Sequence, residues 1–194
     1  MSRSGDRRQL IADRAIAVLA DGGPRALTHH AVDRRAGLAT GSTSYYFRTR
    51  AALIGAAIDR IRDESRTAFA NANPPVAPTP DSAAALIDEH LTTLVCARRE
   101  QALAVFALLP EVADDTTLRI ALTDCLFSRP AAAELATALG SRSPDTDALD
   151  LIAFLTGTLF DRLYGVRRDL SATGATDTHA ARESIARLLR SFTE

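Results

Sequence analysis

A run of hydroxyl and phenol side chains at residues 40–46 carries the clearest chemistry in this sequence. The segment reads TGSTSYY, and its side chains can hydrogen bond to phosphate oxygens or to base edges. Gly41 costs about 1 kcal/mol relative to alanine inside a helix, so helix stability does not explain its presence. Small residues here would let the backbone lie close against a large partner. The alternative is an ordinary loop with a few aromatic residues beneath it.

The residues before this run predict a short helix followed by a tight turn. Thr28 can cap a helix whose apolar positions, up to Ala36, recur at helical spacing and predict one buried face. Gly37 follows where two crossing helices need a left-handed backbone conformation, which glycine adopts without strain. We therefore predict a second short helix from about Thr40 to Tyr46. Together the two helices have the pattern of a helix-turn-helix.

Longer helices are predicted on either side of this pair. Apolar residues recur at helical spacing over residues 7–20, and a glycine-glycine-proline segment then ends that helix. Thr49 caps a helix that runs to about residue 70, and its first turn offers free backbone amides to an anion. Arg48 and Arg50 lie beside that turn. They are the best candidates for phosphate contacts.

Residues 7–61 resemble the DNA-binding domain of the tetracycline-repressor (TetR) family of bacterial transcription regulators. The resembling features are the Thr28 start, Val32, the Ala36-Gly37 turn, Gly41, the Tyr46-Phe47 pair and the Thr49-Arg50-x-x-Leu53 start of the next helix. The sequence departs from the family pattern at Asp33, where a small residue is preferred. It also departs at Ala39 and Ser44, where the family carries a hydroxyl residue and a tyrosine.

The resemblance implies an all-α, ligand-responsive repressor that binds a palindromic double-stranded DNA operator as a homodimer. Two motifs would enter successive major grooves about 34 Å apart, and a small-molecule effector in the larger domain would shift the helix that begins at Thr49 and release the DNA. The predicted DNA-binding residues are Thr28, His29, Thr40, Gly41, Ser42, Thr43, Ser44, Tyr45, Tyr46, Arg48 and Arg50. Among them we expect Thr40 and residues 42–44 to meet bases, and the tyrosines and arginines to hold the backbone.

The charges of the chain divide at about residue 66. Residues 1–66 hold 12 arginines and 7 carboxylates, a net charge of +5, whereas residues 67–194 carry −6. An anionic partner such as a nucleic acid would be attracted to the first part and repelled by the second. We predict a DNA-binding domain at residues 1–66 and a helical ligand-binding and dimerisation domain at residues 67–194. The proline-rich segment 71–80 would link them.

The second part predicts helices only. Their expected ranges are 81–99, 102–109, 116–127, 131–139, 143–166 and 178–192, with Asp81 and Ser143 as caps. The helix after Ser143 has apolar residues on more than one face. One stripe contains Leu151, Leu155 and Leu159, and the other contains Ile152, Phe160 and Leu163. One face can therefore serve the core and another a second subunit.

The final predicted helix carries an apolar stripe formed by Ile185, Leu188, Leu189 and Phe192. The resemblance implies that the last two helices form the homodimer interface, and packing within its own domain is the alternative for this stripe. Candidate effector-pocket residues are Leu94, Phe106, Leu109, Phe127 and Phe154, although each could equally be a core residue. Such a pocket would suit an apolar or aromatic ligand.

No cofactor, metal site or catalytic motif is predicted. His29 and His30 are neighbours on a helix, point about 100° apart and lack a third ligand at helical spacing. Nucleophile-elbow, zinc-protease and phosphate-loop patterns are missing. The longest apolar run, residues 102–109, is far shorter than the roughly 18 residues that span a bilayer, so a cytoplasmic protein without membrane contact is expected. Cys96 and Cys125 are expected to be buried free thiols, with a redox sensor as the alternative.

Two other functions stay open at this point. A helical small-molecule-binding protein without DNA binding would show the same apolar helices, but it would give no reason for the +5 charge of residues 1–66. A small helical enzyme would need a convergent polar site, which the sequence does not reveal.

Overall fold

The computed structural model describes residues 3–70, 77–168 and 177–193. These ranges contain α-helices and no strand, which confirms the predicted all-α fold. The helices, numbered α1 to α10, are Arg3–Ala26, His29–Ala36, Ser42–Tyr46, Arg50–Ala70, Pro80–Val95, Arg99–Leu108, Thr116–Asp124, Arg129–Ala138, Pro144–Tyr164 and Asp177–Arg190. Short 3₁₀ helices follow α6 at Leu109–Val112 and α10 at Ser191–Thr193. None of the helices described is both long enough and apolar enough to cross a membrane.

The chain divides into two compact units. The first unit, Met1–Asn71 with Glu100–Cys125, holds α1 to α4, all of α6 but its first residue, and α7. The second unit, Ala72–Arg99 with Leu126–Glu194, holds α5 and α8 to α10. The packing units therefore differ from the functional domains predicted at 1–66 and 67–194, which stay a prediction. Most of the proposed linker, residues 71–76, lies outside the described residues.

The core of the first unit is formed where α1 and α4 pack together. Ile11 and Leu19 of α1 and Leu53 and Ile61 of α4 are almost completely buried, as their helical spacing predicts. Each such side chain contributes roughly 1.5–3 kcal/mol through its removal from water. The helical conformation of α1 is interrupted at Gly23, where φ is 69° and ψ is −171°, so the predicted break is confirmed.

Two helices of the second unit, α5 and α8, begin earlier than predicted. Thr79, rather than Asp81, caps α5: its hydroxyl accepts from the Ser82 amide at 3.2 Å, and the Ser82 hydroxyl accepts from the Thr79 amide at 2.9 Å. Pro80 takes the first helical position, where no amide donor is needed. The Ser128 hydroxyl caps α8 by accepting from the Ala131 amide at 3.3 Å, so residues 128–130, predicted to lie between two helices, are the cap and the start of the second one.

Helix α10 packs against α5 within the second unit. Ile185 and Leu189 are fully buried and Phe192 nearly so, which means that three residues of the predicted dimer stripe belong to the core of their own unit. The expectation that this stripe faces a second subunit was wrong for these residues. The physical reason is that α5 has its own apolar face, including Leu91 and Leu94, that requires cover.

Helix α9 buries all but one residue of its two predicted apolar stripes. Leu155 and Leu159 are buried, and so are Ile152 and Leu163, which had been assigned to a second face. Phe160, the remaining member of that face, is 51% exposed. It belongs to a third stripe, whose large side chains are about half exposed. The exposed or outward-facing members of this α9 stripe are Leu149, Ala153, Gly157, Phe160 and Tyr164.

Candidate nucleic-acid interface

Helices α2 and α3 form the predicted helix-turn-helix. The Thr28 hydroxyl accepts a hydrogen bond from the Ala31 amide at 3.1 Å, which caps α2. Gly37 ends α2 in the left-handed conformation, with φ 63° and ψ 33°. Helix α3 starts at Ser42, later than predicted, because Gly41 before it is also left-handed, with φ 93°. The left-handed backbone at residue 41 is therefore one reason for a glycine there. Close approach to a partner, which the sequence suggested, is a second reason.

A buried carboxylate joins the two helices of the motif. Asp33 of α2 is 2% exposed; its Oδ2 accepts from the Gly41 amide at 2.8 Å, and its Oδ1 accepts from the Thr43 amide at 2.7 Å and the Thr43 hydroxyl at 2.6 Å. Burial by itself would raise the pKa of Asp33, but these three hydrogen bonds outweigh it and hold the pKa below its ordinary value. Asp33 is thus a buried carboxylate whose two oxygens both accept hydrogen bonds from the start of α3.

Thr43 has a different place from the one predicted. Its side chain is fully buried, and its hydroxyl donates a hydrogen bond to Asp33. The prediction that Thr43 contacts a base was therefore wrong. The cause is the direction of α3: when Ser44 and Tyr45 face outward, the residue before them faces inward. Tyr45 is 79% exposed. Of the other predicted base contacts, Thr40 and Ser44 are exposed and Ser42 is half-buried.

The carboxyl end of α3 is held by aromatic and basic side chains. The rings of Tyr45 and Tyr46 meet edge to face, with centroids 5.1 Å apart. The Arg8 guanidinium lies 5.7 Å from the Tyr46 ring centre and 5.4 Å from that of Phe47. His29, a predicted DNA-binding residue, is half-buried, and its Nε2 donates to the Phe47 carbonyl at 2.6 Å. His29 therefore fixes the exit from α3.

An open pocket with a volume of about 710 Å³ lies beside α3. Its lining residues are Ser4, Arg8, Gly41, Ser44, Tyr45, Tyr46 and Arg48. Two guanidinium groups and several hydroxyls thus meet in one place, an arrangement suited to phosphate oxygens. Arg8 was not among the predicted DNA-binding residues, because only the apolar spacing of α1 was used to predict that helix. The adjacent arginines at residues 7 and 8, on the polar face of α1, were the available signal.

The two predicted phosphate ligands at the start of α4 differ in their surroundings. Thr49 caps α4 as predicted, by accepting from the Ala52 amide at 3.1 Å. Arg50 donates to the Pro24 carbonyl at 2.8 Å and lies 3.5 Å from Glu111, so its guanidinium also ties α4 to the break in α1. Arg48 is exposed and has no ion pair within the described part of the chain. Both phosphate contacts stay predictions.

The predicted effector-pocket residues are divided between the units. Leu94 and Phe127 are buried in the second unit, whereas Phe154 lies on the outer side of α9 with 37% of its surface exposed. Phe106 and Leu109 are half-buried in the first unit. Their assignment to a pocket stays a prediction. Among the described residues, no group of three or more histidine, cysteine or acidic side chains could hold a metal ion.

These features together define a helix-turn-helix protein: a short recognition-type helix, an outward surface rich in tyrosine and arginine, and a second helical unit. Residues 74–191 match the family model for the tetracyclin repressor-like C-terminal domain. The match extends over more than half of the chain. The chain therefore belongs to the TetR family of transcriptional regulators, and the resemblance found at residues 7–61 is confirmed at the level of the family.

Solved structures of similar fold include other regulators. A TetR-family member from Streptomyces coelicolor A3 is 24% identical, with 94% of this chain and 98% of that chain covered and a TM-score of 0.65. A transcriptional regulator from Rhodococcus sp. Rha1 is 20% identical, with 96% and 98% covered and a TM-score of 0.74. The multidrug binding protein EbrR, complexed with ethidium, is 27% identical, with 94% and 98% covered and a TM-score of 0.62. No curated protein matches the chain in sequence.

Proposed function

We propose that this chain is a ligand-responsive repressor that binds a palindromic operator as a homodimer. The observation that carries the proposal is the outward surface of α3, where Tyr45 is 79% exposed and two arginines, Arg8 and Arg48, line the same concavity. Membership of a regulator family supports the same role. Proteins of this family act by binding DNA and not as enzymes.

The exposed residues of α3 would enter the major groove. Thr40 and Ser44 would meet base edges, and Tyr45 would contact either a base or the backbone. Arg8 and Arg48 would bind phosphates, and the net charge of +5 on residues 1–66 would attract the duplex. A dimer would place two such helices in successive grooves about 34 Å apart, which requires a palindromic site.

The α9 stripe supports the homodimer. Its members recur every third or fourth residue along one face, and the large ones, Leu149, Phe160 and Tyr164, are 55%, 51% and 47% exposed. Ala153 and Gly157 lie between them and would let a partner helix approach closely. Contiguous exposed apolar surface of this kind is rare on a monomer, so we assign it to a second copy of this chain. The last helix would contribute only the outer edge that α5 leaves free.

The effector would be a small aromatic molecule. EbrR, 27% identical over 94% of this chain, is complexed with ethidium in one structure and, at 26% identity, with malachite green in another. Binding of a related compound in the larger domain would move α4 and separate the two recognition helices. Such coupling typically weakens DNA affinity by about 5- to 150-fold.

The test is a selection of bound duplexes from randomly sheared genomic DNA, followed by affinity measurements at several salt concentrations. We expect enrichment of a palindrome and a steep loss of affinity as salt rises, because counterions are released on binding. Arg48→Ala should flatten the salt dependence by about one phosphate contact. Arg66→Ala, which alters an exposed arginine at the far end of α4, should not. Failure to enrich any duplex, combined with tight ethidium binding, would instead support a carrier without DNA function.

A further inference from the structure

We propose that Asp33 and Thr43 form a positioning pair that fixes recognition helix α3 in its reading orientation before DNA arrives. This inference rests on the proposed DNA-binding function. It concerns two residues that touch no DNA: Asp33, which the sequence marked only as a departure from the family pattern, and Thr43, which is buried.

Helix α3 is too short and too poor in helix-forming residues to be stable alone. It has five residues, Ser42–Tyr46, whereas isolated helices shorter than roughly 12 residues are marginal in water. Serine, threonine and tyrosine are all weaker helix formers than alanine. Its N-cap residue is Gly41, which has no side chain to accept a hydrogen bond from the first turn. Its order must therefore come from outside the helix.

Asp33 supplies the missing cap from the preceding helix. Its carboxylate accepts from the amides of Gly41 and Thr43 at 2.8 and 2.7 Å, and these amides have no partner inside a helix that begins at Ser42. A negative charge at the amino end of a helix is also favourable electrostatically. Because Asp33 is 2% exposed, water cannot replace these bonds, and breaking them would leave a buried charge unpaired.

The hydroxyl of Thr43 turns this cap into a rotational constraint. Its bond to Asp33 Oδ1, 2.6 Å long, fixes the side of α3 that faces α2. Neighbouring residues on a helix point about 100° apart, so an inward Thr43 directs Ser44 and Tyr45 outward. Loss of the pair would free α3 to fray or rotate. DNA binding would then have to order it, and sequence discrimination would suffer more than general attraction to phosphates.

The test compares three variants of the full-length protein: Asp33→Ala, Thr43→Val, which removes the hydroxyl at nearly constant shape, and Thr43→Ser, which keeps it. The first readout is amide hydrogen exchange at Gly41 and Thr43, with Leu19 in the core of α1 as the internal reference. The second is the ratio of affinities for the selected duplex and a scrambled duplex of the same length.

Asp33→Ala should speed exchange at both amides at least about tenfold while Leu19 is unchanged, and should lower the affinity ratio about tenfold or more. Thr43→Val should reduce the affinity ratio, whereas Thr43→Ser, which keeps the hydroxyl, should leave it close to the wild-type value. The pair would be refuted by unchanged exchange and discrimination in Asp33→Ala, or by an equal loss of affinity for both duplexes. A wild-type protein that binds no duplex would refute the proposed function instead, and the exchange data would still decide whether Asp33 orders α3.

Discussion

The guanidinium of Arg162 on α9 lies 3.0 Å from the carboxylate of Asp88 on α5, and their side chains are only 5% and 13% exposed. Both residues belong to the second unit, where they join two helices that are 74 residues apart in sequence at this point. A buried ion pair of this kind adds little net stability compared with apolar residues of the same size. Removing one partner is costly, because the other charge is left buried and unpaired.

Arg162→Met should therefore lower the free energy of unfolding by about 3–5 kcal/mol. The double variant Arg162→Met/Asp88→Leu should recover most of that loss, since no isolated charge remains. Urea unfolding at pH 7 measures both. The control is Arg187→Met, which removes an exposed pair with Glu183 on α10 and should change stability by less than about 0.5 kcal/mol. If the Arg162 and Arg187 variants lowered the free energy of unfolding equally, the buried pair would matter no more for stability than an exposed one.

Phe160→Glu should convert the proposed dimer into a folded monomer. A carboxylate in the middle of the α9 stripe would have to be desolvated at the interface without a partner, whereas in the monomer it lies in water. Sedimentation velocity over a range of protein concentrations reports the change. Ile120→Glu, an equally drastic change at an exposed residue of α7, is the control and should remain dimeric. A dimer that persists in Phe160→Glu would remove the α9 stripe from the interface.

Arg50→Ala should weaken binding to all DNA sequences and flatten the salt dependence, if Arg50 contacts a phosphate as predicted. Glu111, 3.5 Å away, competes with that phosphate for the guanidinium. Glu111→Gln should then raise DNA affinity, by a few-fold at low salt and less at high salt, because the effect is electrostatic. Fluorescence anisotropy with a labelled operator measures both variants. Unchanged affinity in Glu111→Gln would mean that Arg50 serves only as the tie to the Pro24 carbonyl.

His90 should make stability fall in mildly acidic solution. Burial lowers its pKa below the ordinary value of 6.5 and the nearby Arg98 lowers it further, against the opposing hydrogen bond to the Leu126 carbonyl at 2.9 Å. His90 of the unfolded chain therefore binds a proton near pH 6.5, whereas in the folded chain it does so only at lower pH. The contribution of the neutral His90 to stability is fully present above pH 6.5 and declines as the pH falls below it. Thermal unfolding between pH 7.5 and 5.5 should show a shallower decline for His90→Gln. Equal slopes would contradict this.

Local patterns in the sequence determined which helices form the motif and where they begin and end. Thr28 caps α2 and Gly37 ends it because a cap and a left-handed turn depend on residues within one helical turn of each other. Thr49 marks the start of α4 for the same reason. The family pattern at residues 7–61 is a set of such local signals in a fixed order, which is why it could be recognised without coordinates.

Only the tertiary structure decided which partners the helix faces and the charged side chains contact. Asp33 and Thr43 are ten residues apart, and their pairing depends on how α2 and α3 cross. Arg50 is tied to a carbonyl 26 residues away, so its type predicted a phosphate ligand while its place adds a structural bond. The apolar spacing of α10 predicted a buried face but not its cover, because helical periodicity fixes which residues avoid water and only packing fixes the surface that shelters them.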